Sequence, residues 1–292
     1  MTVKCCLDAY IKFDKVKETK QFTIVDGPER LTKTDENDSI LLVLDSSFNP
    51  PHWGHYTLIK KSYEYYHQLY PDKEINVLLL LSVQNADKAA KPASFDKRVE
   101  MMCIMGGILT RNFDKLSCSV GLTIFGKFID KDKIIRDRFF SDGKIIYLVG
   151  FDTITRIFDP KYYTPETPAI ALKEFMKQTE FCCLTRHDDE SDNDSDNDSE
   201  ETYNVQLNYS KEISDGKYEP LVPREWGSKV NVLLNDPKYS NVSSSAIRNV
   251  MSQLYGELPN NEIMIDDLKE QLPNEIVKYI LRESGVKSIF SS

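Results

Sequence analysis

Ile40-Leu-Leu-Val-Leu-Asp-Ser-Ser-Phe-Asn-Pro-Pro-His-Trp-Gly-His55 opens on five consecutive apolar residues and closes on two histidines. Ile40–Leu44 is too short for a helix and is apolar at every position. It therefore reads as a strand buried on both faces, the kind that parallel sheets contain. Pro50 and Pro51 fix φ and end the strand, and a helix can start near Trp53. Between Pro50 and Tyr70, the residues Leu58, Ile59, Tyr63, Tyr66 and Leu69 form one helical stripe.

The same alternation continues downstream. Ile75–Leu81 is a second buried strand, Phe95–Leu109 a helix with Val99, Met102, Cys103 and Met105 inward, and Ser117–Phe125 a third strand. Lys144–Val149 reads as a strand followed by helix-capable Thr153–Phe158, and Glu180–Leu184 as another short strand. Val230–Leu234 is a strand, Ser243–Tyr255 a helix, and Glu275–Leu281 a final helix opened by Leu272-Pro-Asn. The connections are too long for hairpins. The expected fold class is therefore α/β, a Rossmann-like parallel sheet with helices on both faces. Such sheets take ligands at the carboxyl ends of their strands, near the point where strand order reverses.

With 292 residues, the chain has room for one large α/β domain and flanking segments. Residues 1–38 read as an N-terminal extension, partly helical over Leu7–Lys17 and then turn-rich. Residues 39–285 form the expected domain, and 286–292 a tail. Residues 187–202 carry a run of Asp and Glu with no cation and no apolar side chain, the composition of a disordered acidic insertion. Most of the net charge of −9 sits there, so the remainder is near neutral. That balance excludes a general nucleic-acid binder, which needs a basic surface. No apolar run approaches the ~18 residues of a membrane span, and Asp8, Lys12 and Asp14 interrupt any secretory segment. The six cysteines include two vicinal pairs, Cys5-Cys6 and Cys182-Cys183, and show no zinc spacing. Reduced thiols in the cytoplasm or nucleus are expected.

His52 and His55 are three residues apart, which puts both imidazoles on one face of a first helical turn. A helix N-terminus already offers free N–H groups and partial positive charge to an anion. Two imidazoles add donors, and Gly54 leaves room for close approach. The alternatives are local packing of the two rings, or a zinc site, for which no third ligand follows at sensible spacing. Only 4 His exist in the chain and two fall in this turn, which favours phosphate binding. Late in the chain, Val242-Ser-Ser-Ser-Ala-Ile-Arg248 opens another helix; its plain reading is a serine-capped helix with an exposed arginine.

Ser46–His55 resembles the Gly-Ser/Thr-Phe-Asn/Asp-Pro-x-His-x-x-His signature of the nucleotidyltransferase superfamily, in the form used by nicotinamide-mononucleotide adenylyltransferases. Ser46 stands where that signature has Gly. Val242–Arg248 resembles the superfamily's Ile-Ser-Ser-Thr-x-Ile-Arg segment, which closes over the triphosphate. Leu148–Tyr163 resembles the Gly-x-Asp segment, and the loop Ser82–Lys88, the Arg98-x-x-Met helix and the terminal Pro273–Ile280 helix match as well. The match runs through residues 40–285 in order, closest to a divergent fungal branch. A Trp-Glu pair that typical eukaryotic members carry has no counterpart between Lys115 and Lys144.

The resemblance implies adenylyl transfer from ATP to nicotinamide mononucleotide, with Mg²⁺ accompanying ATP and no protein-bound metal site. It implies His52, His55 and Arg248 as the catalytic groups. Ser46, Ser47, Phe48, Asn49, Lys88, Gly150, Asp152, Tyr163, Ser243, Ser244 and Ser245 would bind substrates. Within that set Asp152 would hold a ribose, Lys88 the acceptor phosphate, and Tyr163 would stack on the nicotinamide. The alternatives are another nucleotidyltransferase of the superfamily, or a nucleotide-binding regulatory protein with weak or lost transferase activity.

Overall fold

The structure is a computed structural model that describes residues 3–31, 39–83, 93–141, 143–186, 203–256, 262–284 and 288–290. Along the chain run α1 (Val3–Lys20), β1 (Phe22–Asp26), β2 (Ser39–Asp45), α2 (Trp53–Leu69), β3 (Glu74–Ser82), α3 (Phe95–Asn112) and β4 (Ser117–Thr123). Then come α4 (Phe128–Arg138), β5 (Lys144–Gly150), α5 (Phe151–Ile157), α6 (Pro168–Ala171), α7 (Lys173–Gln178) and β6 (Thr179–Leu184). After these follow α8 (Tyr209–Ser214), β7 (Val230–Leu233), α9 (Ser244–Gly256), α10 (Glu262–Gln271) and α11 (Asn274–Glu283).

Leucine is a good helix former, yet the leucine-rich runs become strands. Helix propensities differ by at most ~0.7 kcal/mol among ordinary residues, whereas fully burying a Leu or Ile contributes about 1.5–3 kcal/mol. Period two sends alternate side chains of β2 to opposite faces. Ile40, Leu42 and Leu44 enter one core with Ile59 and Tyr66 of α2, Met102 of α3 and Ile276 of α11. Leu41 and Val43 enter a second core with Ile135 of α4 and Ile154 of α5. Both cores gain from the same five residues, and only a central strand permits that.

The sheet has the order β1-β4-β3-β2-β5-β6-β7. Strands β2 to β7 are mutually parallel, with Leu44 beside Leu79 on one side and Leu148 on the other. Counting from β2, the parallel part runs 3-2-1-4-5-6, the doubly wound order whose switch point lies between its first and fourth strands. That point falls at the ends of β2 and β5, beside Asp45 and Gly150.

Within the stretch expected as a partly helical N-terminal extension, the described residues 3–31 pack on the domain. Phe22–Asp26, within the stretch read as turn-rich, pairs antiparallel with β4 (Phe22 opposite Thr123) and covers what would be an open sheet edge. Phe13 of α1 is 1% exposed in the first core. The expected tail contributes as well, since Phe290 is buried in that core. Helices α4, α6, α7, α8 and α10 were not anticipated; α6, α7 and α8 are at most six residues long, and α4 is mostly charged. The acidic insertion lies outside the described residues. Cys118, Cys182 and Cys183 are buried free thiols.

Candidate active site

After β2 the chain stays tied to the sheet, because the Ser46 amide donates to the Leu80 carbonyl at 3.2 Å. Phe48 then takes the left-handed backbone conformation, with φ of 45°. That is unusual for a bulky residue. The turn buries the Phe48 ring completely and sets it 5.2 Å from the ring of His55.

Helix α2 starts with two imidazoles capping its first turn. His52 Nδ1 accepts the Gly54 N–H at 3.1 Å, and His55 Nδ1 accepts the His52 N–H at 3.1 Å. The exchange satisfies amide groups that a helix start would otherwise leave open. The ring centroids are 3.9 Å apart, and both residues are buried. Gly54 is needed at this point: a Cβ there would lie 2.9 Å from the His52 ring and 3.5 Å from the Val242 carbonyl oxygen.

Burial is the main force on both imidazoles. It pushes His55 down to about 4, helped by the Arg186 cation. It holds His52 well below the usual range, with His55 and then Arg186 adding to the effect. Both rings are therefore neutral at pH 7. Between pH 6.5 and about 4 the unfolded chain binds a proton at position 55 that the folded protein refuses. Stability is thus lost as pH falls through that window, by about 3 kcal/mol in full from His55. Urea unfolding at pH 7 and pH 4 is expected to give a smaller acid loss for His55→Asn than for the unmodified protein. Equal losses would contradict this account.

The second signature segment meets the first here. Ser244 Oγ donates to the Pro50 carbonyl at 2.9 Å, while Arg248 donates to the Asn49 carbonyl at 2.8 Å and to Ser245 Oγ at 3.0 Å. Ser243 Oγ accepts the Ala246 N–H at 3.1 Å and caps α9. Two helix starts far apart in sequence are thereby latched through one loop. Arg248 uses two of its five N–H donors on this latch and keeps the others.

Between the two starts is a cavity of about 280 Å³, near the lower end of the ~300–1,000 Å³ typical of ligand pockets. Asp45, Ser46, His52 and His55 line it from the β2 end. Gly150 and Asp152 line it from β5, Thr185 and Arg186 from β6, and Tyr239, Ser243 and Ser244 from the approach to α9. At position 150 a Cβ would lie 2.6 Å from Asp152 Oδ1, so glycine lets that carboxylate fold over the strand end. Asp152 pairs with Arg156 at 2.9 Å and has Arg186 at 3.6 Å. Asp45 is paired at 2.5 Å with Lys131, which is 3% exposed.

Several anticipated residues fall elsewhere. Ser47 is exposed, and Phe48 and Asn49 are buried behind the cavity rather than on its wall. Arg248 and Ser245 sit beside the wall. Tyr163 is not on it; its hydroxyl donates to the Ile157 carbonyl at 2.6 Å and its ring packs on the second core. The phenol on the wall is Tyr239 instead. Lys88 lies outside the described residues. Arg186 was missed, although a cation two residues beyond the last residue of a parallel strand is a usable signal. Among the described residues no cluster of three or more His, Cys, Asp or Glu could hold a metal ion.

The model of the cytidylyltransferase-like family matches residues 43–250 of the chain. A Schizosaccharomyces pombe protein, named provisionally as a nicotinamide mononucleotide adenylyltransferase, is 31% identical over 202 residues, covering 69% of this chain and 71% of its own. Among solved structures, Plasmodium falciparum nicotinic acid mononucleotide adenylyltransferase complexed with NaAD gives a TM-score of 0.49 at 16% identity, over 87% of this chain and 98% of that one. The same enzyme complexed with APC gives 0.44 at 16% identity, over 86% and 98%.

Proposed function

The chain belongs to the cytidylyltransferase-like family of nucleotidyltransferases, and we propose that it moves the adenylyl group of ATP onto nicotinamide mononucleotide, releasing pyrophosphate and NAD. The observation that carries this reading is the latch. The imidazole pair at one helix start and Ser243 and Ser244 at another line a single cavity at the sheet's switch point, and Arg248, beside that wall, ties the two starts together.

The 5′-phosphate of the acceptor attacks the α-phosphorus of ATP in line, and the bond from that phosphorus to the bridging oxygen of pyrophosphate breaks. No protein nucleophile takes part. The chain's work is to align two anions that repel each other and to stabilise charge on the transferring group. His52 Nδ1 is taken by the Gly54 amide, so the proton of the neutral ring is on Nε2, available to a phosphate oxygen. The free N–H groups of Arg248 and the first backbone amides of α9 serve the leaving pyrophosphate. Ser244 contributes through its backbone, since its hydroxyl proton is engaged with Pro50. Asp152 accepts from a ribose hydroxyl of the adenosine, and Lys88 meets the acceptor's phosphate. Mg²⁺, which favours phosphate oxygens and retained waters over all-protein cages, would arrive with ATP and neutralise its triphosphate. The ion pair of Asp45 with Lys131 suits that arrangement, because it leaves the cavity's charge to be balanced by the ligand.

A coupled assay supplying ATP, Mg²⁺ and either nicotinamide or nicotinic acid mononucleotide tests the proposal. NAD or its nicotinate analogue is expected to accumulate with pyrophosphate. Calorimetry that detects ATP binding but no binding of either mononucleotide would overturn it.

A further inference from the structure

Ser46 is the residue at which this chain departs from the glycine of the signature it resembles, and the structure gives its side chain a specific partner. Ser46 Oγ lies 2.9 Å from His55 Nε2, inside the cavity wall. Which atom donates follows from the other side of the ring. His55 Nδ1 accepts the His52 backbone N–H, so it carries no proton, and the proton of the neutral imidazole must be on Nε2. Burial keeps the ring neutral, as described above. Nε2–H therefore donates and the Ser46 oxygen accepts.

That direction excludes one chemistry and suggests another. A serine activated as a nucleophile needs an imidazole nitrogen free to take its proton. Here that nitrogen is already protonated, and the opposite tautomer would forfeit the bond from the His52 amide. The Ser46 hydroxyl keeps its own proton, and no second partner for it occurs among the described residues. Its backbone is fixed by the amide bond to Leu80. With one lone pair occupied by His55, the O–H is left as a donor on the cavity wall.

The geometry points to Ser46 as an anion-binding residue through which His55 acts: the imidazole orients the serine oxygen, and the serine hydroxyl, not the imidazole, donates to a phosphate oxygen. His52 is then the imidazole that touches the phosphates directly, and His55 is a positioning residue. With glycine at position 46 the His55 N–H would face the cavity itself, so serine moves the donor one hydrogen bond further out. The inference rests on the adenylyl-transfer reading only for the identity of the anion, the triphosphate of ATP.

The test is a double-mutant cycle on ATP affinity, measured by calorimetry with the full chain, together with the ¹⁵N spectrum of its histidines. Ser46→Ala and His55→Asn are each expected to weaken ATP binding roughly tenfold, a loss typical of one hydrogen bond to a charged group. The double variant should lose about the same tenfold, because the two residues act in series. A loss near a hundredfold in the double variant would mean that His55 reaches the phosphates independently and would overturn the inference. The spectrum needs no substitution and covers the case in which His55→Asn fails to fold. A proton on Nε2 of His55 is expected, and a proton on Nδ1 rejects the proposal. Neither measurement requires turnover. Coupled losses and an Nε2 proton in a protein that makes no NAD would defeat the transferase reading while leaving this one standing.

Discussion

His52→Ala lowers kcat for NAD formation by roughly 10²-fold or more while the protein stays folded. The folded state survives because the side chain's structural duties are local, an N-cap bond to the Gly54 amide and the ring contact with His55. Loss of such a cap costs about 1 kcal/mol, against a total stability of roughly 5–15 kcal/mol. The catalytic loss is larger for a physical reason. A donor aimed from a buried site meets charge in a low-dielectric setting, where one such contact contributes about 3–4 kcal/mol to transition-state stabilisation. His52 is only 8% exposed, so water cannot readily take its place. Steady-state rates in the coupled assay, with thermal melting run alongside, check the pair of statements. Turnover equal to that of the unsubstituted protein would remove His52 from the chemistry.

Arg248→Ala is expected to reduce kcat/KM for ATP by roughly 10²–10³-fold, with a rise in KM. Arg248 does two things at once. Its guanidinium holds the Asn49 carbonyl and Ser245, which keeps α9 against the loop before α2. In the proposed reaction its remaining donors serve the leaving pyrophosphate. Truncation therefore loosens the latch by about 1–2 kcal/mol and also removes the charge. Arg248→Lys separates these effects. A lysine restores the cation but cannot reach both protein acceptors with donors to spare, so it should recover only a small part of the activity. A lysine variant within threefold of the original would show that charge alone suffices and that the fork geometry is irrelevant.

The strands were legible because each is a short apolar run, and burial on both faces leaves no other reading for Ile40–Leu44, Ile75–Leu81 or Lys144–Val149. Helix α2 was legible from its prolines and its stripe. Strand β1 was not. Its five residues are Phe-Thr-Ile-Val-Asp, and nothing local distinguishes an edge strand that owes its place to pairing with β4, some hundred residues later. Helix α4 was hidden for the opposite reason: it buries Lys131 and Asp132, and those side chains are tolerable inside only because Asp45 and Arg136 meet them. Tyr163, nominated by the resemblance, is not on the cavity wall, and the carbonyl of Ile157 accepts its hydroxyl proton.

The pattern of residues alone settled the α/β class and the helix starts near Trp53 and Ser243. These depend on periodicity, caps and prolines, all of which act within a few residues. Folding in three dimensions settled the rest: that the loop before His52 and the helix of Arg248 are joined by hydrogen bonds, that Arg186 enters the cavity, and that the His55 proton is directed at Ser46. Each of those depends on groups distant in sequence, or on which nitrogen a backbone amide occupies. Such relations arise only when strands align side by side and bring their carboxyl ends to one edge.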